Sequence, residues 1–178
     1  MTGAGVIGSG ASFDPYANSN NFLLAAFFLA DFPIGIYKSV GPVSGTVTIL
    51  EALGGLVGTE SYHSATIRTT IFRKGRENPA SGLIENSEKI SAYRDTLDGA
   101  PTEALVTGYA PDDDQGVTPS TNAAGQLVSN IVPTNANGLA YSRTQDRIAN
   151  IVYLATGAVT SGGFFPAGMN GSLKTGAA

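Results

Sequence analysis

A carboxylate and the chain's single imidazole, Glu60 and His63, stand three residues apart inside a long periodic stretch. On a helix this spacing puts them one turn apart on adjoining positions, so an oxygen and a nitrogen can approach one point. Glu-x-x-His pairs that face inward hold carboxylate-bridged metal pairs in helical bundles, which makes iron or manganese the ions to consider. The same pattern also fits a hydrogen-bonded pair that holds no metal. Asp31 is the other candidate, as a further ligand, a partner for His63, or an acceptor for backbone donors at a break in its helix. No nucleophile–base arrangement assembles around the one histidine.

The element that must position the pair runs over residues 44–74, SGTVTILEALGGLVGTESYHSATIRTTIFRK. At about 100° per residue, Ile49, Leu53, Leu56, Ile67 and Ile71 fall within about 40° of Glu60, and His63 lies about 60° away. The opposite face carries Glu51, Gly55, Gly58, Tyr62 and Thr69. Glu60 and His63 are therefore expected on or beside a buried stripe, where an unpartnered charge is costly. Gly54, Gly55 and Gly58 each disfavour the helix by about 1 kcal/mol against alanine, so they read as a place where another helix approaches closely.

Residues 22–39 precede this helix and are apolar nearly all round, FLLAAFFLADFPIGIYKS, which predicts burial on most sides. Pro33 removes a backbone donor and predicts a kink. The apolar run at 22–37 is short for a bilayer span of about 20 residues and contains Asp31, so it reads as a buried helix, with membrane insertion not expected. Gly41-Pro42 closes the first helix, and a connection of about four or five residues makes the two long helices an antiparallel hairpin, with Ser44 or Thr46 as the cap of the second.

Composition bounds the rest. The 178 residues suit one domain with an appendage. Charged residues make up 13% of the chain, against about 25% in an average soluble domain, so a surface largely covered by partner chains, or polar without charge, is expected. A net charge of −4 without any basic run argues against nucleic acid. The absence of cysteine excludes disulfides and thiolate metal sites, and 1–17 shows no basic-then-apolar signal peptide pattern.

The chain is expected to divide into a Gly/Ala/Ser-rich arm at 1–17, a helical core at 18–99, and a loop-rich extension at 100–178 with one helix at about 144–156. In the core a third helix is expected over 85–98, closed by Gly99, with Glu88, Lys89, Arg94 and Asp95 on a solvated face. Within the extension, Asp112, Asp113 and Asp114 read as solvated loop with no calcium-ligand spacing. Leu127, Val128, Ile131 and Val132 offer one short strand or a pinning contact. The fourth helix starts at Thr144 and ends at Gly157, with Ile148, Ile151, Val152 and Ala155 inward. Phe164 and Phe165 are expected to anchor the tail, and Asn170-Gly171-Ser172 is a glycosylation sequon.

Four blocks in this order, NSNNFLLAAFFLADFPIGIYK, LGGLVGTESYHSATIRTTIF, LAYSRTQDRIANIVY and GGFFPAGMNG, resemble the desiccation-related ferritin-like proteins, a family with plant desiccation and fungal stress-response members. The resemblance covers about 13–173. It implies a mainly α fold, a ferritin-like helical bundle built on a long helix hairpin with shorter helices and a long irregular C-terminal extension. It also implies an extracellular or cell-surface setting. Family members usually carry two further helices before the first block, the first with a Glu and the second often with Glu-x-x-His, and bacterial relatives tend to place Glu where this chain has Ala30. Of the family's ligand set only Glu60 and His63 match, so no cofactor is expected in the isolated chain.

The expected function is a non-catalytic structural or stress- and desiccation-protective protein that acts by assembly, with itself or with a chain supplying further bundle helices. Gly54, Gly55, Gly58, Phe27 and Phe28 are the expected interface, because Leu24, Phe27, Phe28 and Ile34 exceed what one hairpin partner can cover. The alternative is a metal-binding redox protein with a degenerate or subunit-shared site on Glu60 and His63.

Overall fold

The computed structural model describes residues 1–41, 45–99, 114–135, 137–172 and 174–178. Pro42, Ser44, Asp112 and Asp113 lie outside the described residues. The helices are α1 (Ser19–Ala30), α2 (Phe32–Val40), α3 (Val47–Glu77), α4 (Leu83–Asp98) and α5 (Gln145–Tyr153), with one two-residue strand pair, β1 (Ser120–Thr121) and β2 (Leu127–Val128). The fold is mainly helical, as expected.

The single kinked helix over 22–39 is instead two helices. Asn18 caps α1, its side-chain oxygen accepting from the amides of Asn20 and Asn21 at 3.0 and 2.9 Å. The break comes at Asp31, and α2 restarts with Pro33 in its first turn. There a missing N–H is harmless, whereas a continuous helix would have lost an internal bond at Pro33.

The described residues group into two units. The first comprises Met1–Asp31, Thr59–Tyr93 and Asp114–Pro133. In it α1 runs antiparallel to the later part of α3: Ser19 meets Lys74 near one end, and Asp31 meets Ser64 and Arg68 near the other. Leu24, Phe27, Phe28, Ile71, Leu83 and Ile90 are buried. At Gly75 a Cβ would stand 2.7 Å from Ile84 Cγ1, so this glycine lets α4 approach α3. The N-terminal segment is docked as well. Ala4 is buried, and a Cβ on Gly3 would run into the Tyr93 ring.

Segment 114–133 is a strap held by side chains from the helices. Ser87 Oγ accepts from Val117 N at 3.0 Å, and Glu88 accepts from Gly116 N and Thr118 N at 3.2 and 2.7 Å. Glu88 therefore does not belong to a freely solvated face. Asp114 is also buried rather than solvated. Leu127 and Val128 do form a strand, paired antiparallel with Thr121 and Ser120, and both are exposed.

The second unit comprises the described residues of Phe32–Gly58, Arg94–Asp113 and Thr134–Ala178. In it α2 packs on α5, and Lys38 donates to the carbonyl of Ala140. Arg94 is fully buried, which corrects its assignment to a solvated face, and Asp98 on the next turn pairs with Arg143 at 2.7 Å in the interior. Helix α5 ends at Leu154, which takes a left-handed conformation at φ 53°, three residues before Gly157. Ile148, Ile151 and Val152 are buried as expected.

Phe164 and Phe165 do not anchor the tail; both are exposed. Hydrogen bonds hold it instead. The Tyr153 hydroxyl donates to Lys174 O at 2.8 Å and accepts from Met169 N at 3.2 Å, while Ala177 N donates to Asp146 O at 3.2 Å. The buried Tyr153 hydroxyl and the Asp146 carbonyl on α5 thus replace the expected aromatic contacts.

Candidate functional site

Helix α3 presents two chemically different faces. The buried positions on it are Ser64, Arg68, Ile71 and Gly75. At about 100° per residue they lie roughly 20–80° to one side of Glu60. His63 lies about 60° to the other side, beyond the edge of that stripe. The imidazole side chain is accordingly 61% exposed, and Glu60 is 26% exposed. The expectation of a buried pair fails because the inward direction is centred near Ser64 and Gly75, not on Glu60.

His63 Nδ1 and Glu60 Oε2 are 3.4 Å apart, a long contact of the kind that surface pairs make. Among the described residues no three His, Cys, Asp or Glu side chains converge to hold a metal ion. Two donors at a surface do not fit a carboxylate-bridged di-metal centre, which draws on several helices.

Asp31 faces a different partner. Its Oδ2 accepts from Arg68 Nη1 at 2.8 Å, and its Oδ1 accepts from Ser64 Oγ. Arg68 is fully buried and uses all five of its donors. Nη1 also reaches Gln115 O at 2.8 Å; Nη2 reaches Gly116 O at 2.6 Å and Asn130 O at 2.8 Å; Nε reaches Asn130 O at 3.2 Å. The guanidinium carbon sits 5.4 Å from the centre of the Phe27 ring, within cation–π range. Burying a cation is tolerable only with this degree of satisfaction. Arg68 thus joins α1, α3 and both ends of the strap.

Phe27 and Phe28, expected at an interface, are buried inside the first unit. The expectation counted only hairpin contacts and overlooked the guanidinium lying on Phe27. Gly54, Gly55 and Gly58 are open: a Cβ built on any of them meets nothing within 4 Å. Around them Val47, Ile49, Leu50 and Leu56 are exposed, Val47 to 82%. Asn170 is exposed between the two residues that Tyr153 holds.

A family model for the ferritin-like domain matches residues 5–73, a span that includes α1, α2 and most of α3. Residues 5–73 are thus similar to the ferritin-like domain, in keeping with the mainly helical fold. Similarity to two curated relatives extends beyond that span. The chain is 26% identical to "Ferritin-like catalase Nec2" of Nesocodon mauritianus over 166 residues, 90% of this chain and 50% of the relative. It is 26% identical to "Desiccation-related protein PCC13-62" of Craterostigma plantagineum over 140 residues, 76% of this chain and 42% of the relative. The chain thus spans about half the length of these relatives or less. No solved structure matches it.

Arg68, Arg143 and Asp98 are the residues that sequence reasoning missed. The signal for Arg68 was only partial: it lies one turn past Ser64 and one turn before Ile71, but about 80° from Glu60 and so outside the apolar stripe, and Asp31 is the acid on the neighbouring helix. Arg143 and Asp98 carry no comparable local signal, being 45 residues apart.

Proposed function

We propose that this ferritin-like chain is a stress- or desiccation-related structural protein that works by assembly and performs no catalysis. The observation that carries the reading is the placement of its ionisable groups. The one imidazole lies at the surface with a single carboxylate beside it, while Asp31 and Arg68 are engaged in joining helices to the strap. The relative named a desiccation-related protein supports the physiological context. The exposed apolar residues beside open glycines on the first half of α3 support assembly, with a second copy or a chain bringing further helices. The extracellular or cell-surface setting and a glycan on Asn170 belong to the same reading. Purified chain should show neither peroxide decomposition nor stoichiometric metal, and should sediment above monomer mass. A metal-free, compact monomer at micromolar concentration would remove the assembly half of the reading.

A second reading is favoured by one observation: Glu60 and His63 are accessible at the surface, where ligands from another subunit can reach them. In that reading they form half of a shared iron or manganese site, and the relative named a catalase points to redox chemistry. Metal uptake that appears only in the oligomer and disappears in His63→Ala would select it.

A further inference from the structure

The chain has two Asn-Gly steps, Asn137–Gly138 and Asn170–Gly171, and the structure treats their backbone amides differently. At the first, Gly138 N donates to Asn135 O at 2.9 Å. The Asn135 side-chain oxygen accepts from Asn137 N and Leu139 N at 2.9 and 3.0 Å, and Asn135 N donates to Leu139 O at 2.9 Å. The step is closed into a hydrogen-bonded turn.

At the second step, Asn170 and Gly171 are exposed, and the Gly171 amide has no hydrogen-bond partner among the described residues. Gly171 has φ 101°, with open space where a Cβ would be, a conformation that suits glycine alone. The Tyr153 hydroxyl, on a buried side chain, holds Met169 on one side and Lys174 on the other. Asn170–Gly171 is therefore a tip presented to water between two fixed points.

We propose that Asn170 is a site of spontaneous, backbone-assisted deamidation in the folded protein, and that Asn137 is protected from it. The Gly171 nitrogen attacks Cγ of Asn170 and forms a five-membered succinimide. The Cγ–Nδ2 bond breaks, and the amide nitrogen leaves as ammonia, taking up the proton lost from Gly171 N. Water then adds across either imide carbonyl, giving aspartate or isoaspartate. Glycine favours the attack because no Cβ obstructs the nitrogen's approach. At Asn137 the equivalent nitrogen has its proton engaged by Asn135 O, and ring closure must first break the turn. The product carries one more negative charge and no longer has the Asn-Gly-Ser sequon, so deamidation and glycosylation at Asn170 exclude one another.

The test is a time course on the purified full chain at mildly alkaline pH, with peptide mapping by mass spectrometry and isoaspartate detection. The folded chain should convert at Asn170 about ten-fold faster than at Asn137, a barrier difference that folding alone supplies. In urea, with both turns released, the two rates should converge. Asn135→Ala should raise the rate at Asn137 in the folded chain. Equal rates at both steps in the native protein, or faster conversion at Asn137, would overturn the proposal.

Discussion

The Arg68 guanidinium on α3 and the Asp31 carboxylate at the end of α1 form a 2.8 Å ion pair in which the arginine is fully buried and the aspartate side chain is 11% exposed. The pair closes the α1–α3 contact, and its remaining donors hold carbonyls at both ends of the strap. Arg68→Met leaves Asp31 in place without its guanidinium and is expected to cost about 3–5 kcal/mol in urea unfolding. Arg68→Lys should recover little, since a point charge cannot reproduce a planar fork to three carbonyls. A lysine variant as stable as the wild type would show that charge alone, rather than the fork, holds the strap.

Two glycines on α3 should respond to alanine with opposite signs. Gly75→Ala forces Ile84 aside and should destabilise by about 1–3 kcal/mol from overpacking, less the helix-propensity gain. Gly54→Ala meets open space in this chain and should stabilise an isolated chain by up to about 1 kcal/mol. In the assembled state proposed above, Gly54→Leu or Gly58→Leu should instead lower the oligomer's mass while leaving helicity unchanged. Circular dichroism and sedimentation on the same samples separate the effects; unaltered assembly in both leucine variants argues against this face as the interface.

His63→Ala should change stability by less than about 1 kcal/mol, as befits an exposed pair. The isolated chain should carry no stoichiometric iron or manganese, and chelator should leave its melting temperature unmoved. Elemental analysis showing two tightly held ions per chain, lost on His63→Ala, contradicts this expectation.

Burial holds the Lys38 ammonium below the ordinary lysine pKa. Between the folded and unfolded values the unfolded chain binds more protons, so this group's contribution favours folding as pH rises toward the ordinary lysine value, and is lost as pH falls through the folded one. Lys38→Met removes that dependence. Paired urea titrations should therefore show the wild type gaining on the variant across the alkaline range, and a constant gap would assign the shift no role in stability.

What the residues determine by themselves is local. Asn18 caps α1 because a short carbonyl side chain reaches the first free amides, and Pro33 ends one helix and opens another because it has no N–H to give. The length of α3, the burial of Ile148, Ile151 and Val152 on α5, and the mainly helical class follow from apolar periodicity. Tertiary structure decided which side of α3 faces inward, because a stripe some 80° wide can turn either way until something covers it. The covering element is the strap 114–133, whose own sequence has almost no periodicity. It is placed by its backbone: carbonyls of Gln115, Gly116 and Asn130 on Arg68, and amides of Gly116 and Thr118 on Glu88. Every residue but proline carries both groups, so such contacts leave little trace in residue type. Arg68 therefore turns inward and His63 outward, although both lie on one helix little more than a turn apart.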